Sequence, residues 1–142
     1  MPRPKPFLSL SAEETMAFAE KFGRTLKPGS VIALIGGLGS GKTTFVKGIA
    51  RGLGLKNADE VKSPTFVLMH VYKTRVPLYH FDLYRLESRR EVEALGFEDF
   101  AGDPMAITCV EWAERADKLL PRGTRKVGLE ITGENSRRIV IQ

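Results

Sequence analysis

Val31-Ile32-Ala33-Leu34-Ile35-Gly36-Gly37-Leu38-Gly39-Ser40-Gly41-Lys42-Thr43-Thr44 is the stretch whose reading decides the fold. Its first five residues are an unbroken apolar run, as expected of a strand buried on both faces. Gly36, Gly41, Lys42 and Thr43 then match the G-x-x-x-x-G-K-[ST] spacing of a phosphate-binding loop. The chemistry explains the spelling. Glycines let the backbone take positive φ and bring N–H groups close to an anion. Lys42 supplies an ammonium for the outer phosphates, and the Thr43 hydroxyl can ligate a phosphate-bound magnesium. From Thr44 onward, Phe45, Ile49 and Leu53 fall on one helical face, and Gly54 follows as a C′ stop. The loop should therefore open a helix whose dipole adds to the anion site. A glycine-rich turn beside an exposed lysine is the bland alternative, and the flanking strand and helix argue against it. Residues Gly36, Gly37, Leu38, Gly39, Ser40, Gly41, Lys42, Thr43 and Thr44 read as a nucleoside triphosphate cradle.

The 142 residues fit one domain, with residues 1–8 as an extended or mobile lead-in rich in proline. A hydrophobic content of 42% and a charged content of 27% place the chain among soluble globular proteins. No apolar run reaches membrane-spanning length and no secretory h-region opens the chain, so a cytoplasmic location without membrane contact is expected. The single cysteine, Cys109, cannot form an internal disulfide and reads as a buried small hydrophobe. The formal net charge of +5 permits an acidic or RNA partner. The basic residues are scattered and not interleaved with aromatics, so direct nucleic-acid binding is the minority reading.

Upstream of the loop, Ser11-Ala12-Glu13-Glu14 is a capping box. It opens a helix that carries Thr15, Phe18, Ala19, Phe22 and Leu26 on one face and closes before Pro28-Gly29. Downstream, Ser63-Pro64-Thr65-Phe66 places two hydroxyls around a rigid proline. It is either a strand-entry turn or a switch segment whose Ser63 or Thr65 senses the γ-phosphate and its magnesium. Phe66–Tyr72 and Val76–Tyr84, rich in β-branched and aromatic residues, read as an antiparallel hairpin. The two-residue period puts His80, Asp82 and Tyr84 on one face. A carboxylate among apolar neighbours is costly unless paired, so Asp82 is either an ion-pair partner or a ligand to magnesium or its water. His80 reads as a hydrogen-bonded structural histidine. Ala106–Glu111 is a second buried-type strand that ends in a carboxylate, where a P-loop enzyme carries its metal-side acid. Trp112 beside it reads as a core-edge aromatic or a stacking platform. Two last β-rich runs, Lys126–Thr132 and Arg137–Gln142, form a terminal hairpin, whose Arg137 or Arg138 could contact nucleotide or partner but is an exposed hairpin charge by default. The fold class is thus α/β: a P-loop NTPase fold with a mixed parallel and antiparallel sheet, flanking helices and a C-terminal β-hairpin.

The succession G-x-L-G-S-G-K-T-T, V-K-S-P-T-F, Y-H-F-D-L-Y-R-L and V-E-W resembles the TsaE (YjeE) family of small bacterial ATPases. The match runs from Val31 to Trp112. The S-P-T-F and H-F-D-L-Y-R-L strings are far more specific than the phosphate loop. The resemblance implies ATP and Mg2+ as ligands and a role in forming threonylcarbamoyladenosine in tRNA. It implies two partner subunits of the threonylcarbamoyl-transferase complex, with tRNA met through that complex and ATP hydrolysis sustaining turnover. Lys42, Asp82 and Glu111 would be the catalytic residues, with Thr43, Glu111 and Asp82 on the metal. Ser63, Thr65 and Trp112 would lie near the nucleotide, and Leu10 and Ala12 near the adenine. One departure is Gly37, where the family usually carries an acid.

Two other classes compete with this reading. A small-molecule kinase needs an acceptor pocket and an arginine-bearing lid, for which the chain leaves little room. A nucleotide-gated binding module would need binding without productive hydrolysis. A GTPase fits least. Lys56-Asn57-Ala58-Asp59 is not a guanine-reading N/T-K-x-D, and no apolar strand leads into the D-x-x-G of Asp99–Gly102.

Overall fold

A computed structural model describes residues 4–142, so the first three residues of the proline-rich lead-in lie outside the described residues. The chain runs β1 (Phe7–Ser9), α1 (Ala12–Thr25), β2 (Val31–Ile35), α2 (Lys42–Gly52), β3 (Met69–Tyr72) and β4 (Leu78–Asp82). It continues through α3 (Arg89–Ala94), α4 (Phe97–Phe100), β5 (Ile107–Glu111), β6 (Arg125–Ile131) and β7 (Arg137–Ile141). The strands make one mixed sheet in the order β1-β7-β6-β2-β5-β4-β3. The central strand β2 is parallel to both neighbours, β5 and β6, and β4 is parallel to β5. β3 pairs antiparallel to β4 at one edge, and on the other side β6, β7 and β1 pair antiparallel in succession. A strand enclosed by parallel neighbours and covered on both faces must be apolar throughout, which is what Val31–Leu34 provide.

One face of the sheet, with Ile32, Leu34, Ile107 and Cys109, packs under α1 and α2. The other, with Val31, Ala33, Phe81 and Val110, packs against α3, α4 and the 3-10 segment Ala113–Leu119. Phe45, fully buried between the helices and sheet, contributes about 1.5–3 kcal/mol by its burial alone. The two long helices approach closely because their seam is made of small residues. A side chain at Gly48 would run into the Met16 carbonyl and the Ala19 methyl, and one at Gly23 into the Ile49 backbone.

Ser11 caps the helix as read, its hydroxyl accepting from the Glu14 N–H, but the Glu14 carboxylate meets the Leu10 amide in place of that of Ser11. α2 stops where Gly54 takes φ +99°. Three further features differ from the sequence reading. Part of the lead-in, Phe7–Ser9, is an edge strand paired antiparallel to β7, and Phe7 stacks on Phe18 of α1. The hairpin is shorter at both ends than its apolar runs. Phe66 is 84% exposed and Val67 61% exposed, because the Pro64 carbonyl captures the Val67 and Leu68 amides in a turn. Leu68 then takes φ +71°, which no strand residue adopts. At the other end β4 closes at Asp82, so Tyr84 lies beyond the strand instead of continuing the face of His80 and Asp82.

Candidate nucleotide-binding site

The carboxyl ends of β2, β5 and β4 lie side by side, with Leu34 opposite Glu111 and Glu111 opposite Asp82 in register. Open α/β sheets bind ligands at that edge. The phosphate loop crosses it between β2 and α2. Gly39 and Gly41 take φ +77° and +99°, conformations that turn successive amides inward. A side chain at Gly36 would strike the Ser40 side chain and the Leu129 carbonyl, whereas nothing lies within 4 Å of one at Gly37. The Ser40 hydroxyl is buried and has no hydrogen-bond partner.

Lys42 opens α2, and its Nζ donates to the Gly36 carbonyl at 2.6 Å and the Gly37 carbonyl at 2.8 Å. The same ammonium sits 4.2 Å over the centre of the Trp112 ring. Burial lowers the Lys42 pKa from its usual 10.5, and the Glu111, Glu114 and Asp82 charges partly oppose that shift. The Thr43 hydroxyl lies 3.0 and 2.9 Å from the two oxygens of Glu111. Glu111 Oε2 also receives His80 Nε2 at 2.6 Å. Asp82 is engaged differently. Its Oδ2 accepts from the Ser63 and Thr65 hydroxyls, and its Oδ1 accepts from the Tyr84 amide at 2.9 Å. The start of that loop is stapled in turn, because the Tyr72 hydroxyl, whose pKa burial raises, meets the backbone of Lys62.

These groups border a cavity of about 370 Å³, within the range of small-molecule sites. Leu38 to Thr44, Ser63, Thr65, Asp82, Glu111, Trp112 and Ala12 all line it. Gly36 and Gly37 do not line it, and their carbonyls accept from Lys42. Leu10 is not brought to the cavity. Its amide faces the Glu14 carboxylate at 3.4 Å, and the residue is 67% exposed. Sequence reasoning missed Thr15, Tyr84, Glu134 and Asn135, and it gave a nucleotide contact for Arg137 only as the alternative to an exposed charge. The hairpin folds back over the loop, and Arg137 donates to the Gly39 carbonyl at 2.8 Å while also binding carbonyls of its own turn. Only its neighbour Arg138 behaves as an exposed hairpin charge, 3.7 Å from Glu130. No local signal separates two adjacent arginines in this way.

A glycine cradle between a central parallel strand and a helix, with acids on the adjacent strand ends, defines a P-loop NTPase fold. The threonylcarbamoyl adenosine biosynthesis protein TsaE family model matches residues 9–140. The chain belongs to the TsaE family, named for threonylcarbamoyladenosine biosynthesis in tRNA. It is 39% identical to the tRNA threonylcarbamoyladenosine biosynthesis protein TsaE of Treponema pallidum, over 94% of this chain and 97% of that one. The Aquifex aeolicus protein of the same name is 41% identical over 92% and 90% of the two chains. The crystal structure of Bacillus subtilis YdiB superimposes with a TM-score of 0.77 at 31% identity, covering 99% of this chain and 86% of that one.

Proposed function

We propose that the chain is a magnesium-dependent ATPase whose hydrolysis sustains turnover of a partner complex that forms threonylcarbamoyladenosine in tRNA. One observation carries the reading. The phosphate loop stands beside Glu111 and Asp82, with the Thr43 hydroxyl touching both Glu111 oxygens. Catalysis of phosphoryl transfer is mostly positioning and charge neutralisation. The amides from Leu38 to Thr44 would cradle the β- and γ-phosphates, and the Lys42 ammonium would turn from the Gly36 and Gly37 carbonyls to the γ-phosphoryl oxygens.

Thr43, Glu111 and Asp82 offer only oxygen donors, which suits a hard cation such as magnesium. Among the described residues no group of three or more His, Cys, Asp and Glu side chains is arranged to hold a metal. A magnesium that draws its remaining ligands from phosphate and water fits that donor set. Held by Thr43, Glu111 and Asp82, it would supply charge neutralisation at the phosphates. Ser63 and Thr65 would release Asp82 toward that side of the nucleotide, making Ser63–Phe66 the switch. Trp112, Ala12 and Arg137 would close around the rest of the nucleotide.

The family role supports two protein partners in the threonylcarbamoyl-transferase complex, tRNA contact through that complex, and a cytoplasmic setting. No described helix is long and apolar enough to cross a membrane. The test is ATP hydrolysis by the purified protein, alone and with those partner subunits. Partner-stimulated hydrolysis is expected, and Lys42→Ala and Glu111→Ala should abolish it. Unchanged hydrolysis in either variant overturns the assignment.

A further inference from the structure

His80 is the only described residue besides Thr43 whose side chain hydrogen-bonds to Glu111, and it does so from inside an apolar layer. It lies on β4, wholly buried, beside Tyr72, whose ring centre is 6.2 Å away. A polar group in such a place is costly unless it is bonded. Its Nε2 meets Glu111 Oε2 at 2.6 Å, while its Nδ1 is buried with no partner. A carboxylate only accepts, so the hydrogen-bond pattern assigns the ring hydrogen to Nε2. The two donors on Glu111 are unequal. Thr43 has a single hydroxyl hydrogen, which it divides between the two carboxylate oxygens at 3.0 and 2.9 Å. His80 grips Oε2 alone, at the shorter distance.

We infer that His80 is a positioning residue for the metal side of the phosphate site. By anchoring Oε2 it fixes the rotation of the Glu111 carboxylate, and with it the position of both oxygens against the Thr43 hydroxyl. His80 itself does not line the cavity. Without that anchor the carboxylate rotates about its own axis and only the Thr43 hydroxyl aligns it. Partners of this kind, one shell behind a ligand, set metal affinity more than substrate affinity. The inference rests on the proposed magnesium-dependent nucleotide site.

The test is a fluorescent nucleotide titration with His80→Asn and His80→Gln. A glutamine amide reaches about as far as Nε2, whereas an asparagine amide stops short of Glu111. In His80→Asn the magnesium concentration that half-saturates the nucleotide-bound protein should rise by about 10- to 100-fold. Nucleotide affinity measured in EDTA should stay the same, and His80→Gln should restore most of the magnesium affinity. An unchanged magnesium midpoint in His80→Asn overturns the inference. Equal weakening with and without magnesium does so too, because a merely structural histidine would act that way.

If the variants fail to fold, the wild-type protein supplies the second measurement, since it holds only two histidines. Imidazole 15N spectra should show a hydrogen on His80 Nε2 and a shift of that signal when magnesium is added to the ADP-loaded protein. A bare Nε2 or an unmoved signal overturns the inference. A wild-type protein that binds no nucleotide overturns the underlying function as well. Nucleotide binding with magnesium dependence indifferent to His80 overturns this inference alone.

Discussion

Thr65→Val is the most direct way to ask whether Ser63–Phe66 is a latch. The change keeps the shape of the side chain and removes one hydroxyl. That hydroxyl donates to Asp82 Oδ2 at 2.8 Å, a charge-assisted hydrogen bond to a buried carboxylate. Such bonds contribute about 1.5–3 kcal/mol. Asp82 retains the Ser63 hydroxyl and the Tyr84 amide, so the charge is not orphaned and the loss falls around the bottom of that range, about 1–2 kcal/mol. If the bond exists only while the loop is closed, the loss appears as a local opening equilibrium raised by roughly 5- to 30-fold. Hydrogen exchange at the amides of Val67 and Leu68, both bonded to the Pro64 carbonyl, reads this directly. Their exchange should accelerate by that factor while amides in the central strand β2 keep their rates. Chymotrypsin should cut after the exposed Phe66 correspondingly faster. Unchanged exchange at Val67 and Leu68 would refute the latch. Acceleration spread evenly through the sheet would show that the hydroxyl supports the fold and not the loop.

The remaining predictions concern the loop and its supports. Gly48→Ala gains about 1 kcal/mol in helix propensity, but its methyl must displace α1 backbone, an overpacking cost of about 1–3 kcal/mol. Urea unfolding should show a net loss of up to about 2 kcal/mol for Gly48→Ala. Gly37→Ala, which meets open space, should be neutral or gain up to about 1 kcal/mol. Arg137→Met removes the bond to the Gly39 carbonyl and should weaken nucleotide binding roughly 5- to 10-fold by calorimetry. Stability should change by less than about 0.5 kcal/mol in that variant. The lowered pKa of Lys42 gives a pH dependence with two opposite signs. Triphosphate affinity needs the ammonium, so it is full below the native pKa and falls as pH rises through it, at a pH below 10.5. Burial disfavours the charged form in the folded chain, so this group's contribution to stability rises over that same window. Lys42→Arg, which keeps its charge, should flatten the affinity profile measured by titration at successive pH values.

What the sequence made legible is what local chemistry dictates. The phosphate loop announces itself because glycine spacing, an apolar strand and a periodic helix all agree across Val31–Leu53. Asp82 and Glu111 could be singled out because an acid closing an apolar strand needs a partner. Their adjacency could not, since it depends on β4 and β5 being neighbours in the sheet. Phe66–Leu68 misled because the apolar run into Met69 is unbroken through them, while the turn that excludes them is set by the Pro64 carbonyl. β1 was hidden by prolines that precede it and by a partner strand near the other end of the chain. Arg137 and His80 draw their importance from partners 98 and 31 residues away in sequence, which no spacing rule reports.

Cys109, the one thiol in the chain, sits at the middle of β5 with no solvent exposure, and burial pushes its pKa well above the ordinary thiol range. A disulfide exchange reagent needs a thiolate within reach, so in the folded protein it finds none. Labelling can proceed only after β5 has separated from β2 and β4. The molecule thereby carries an internal clock at its centre. The rate of colour release from a chromogenic disulfide reports the opening of the sheet that holds the phosphate loop, with no probe to attach and no residue to change.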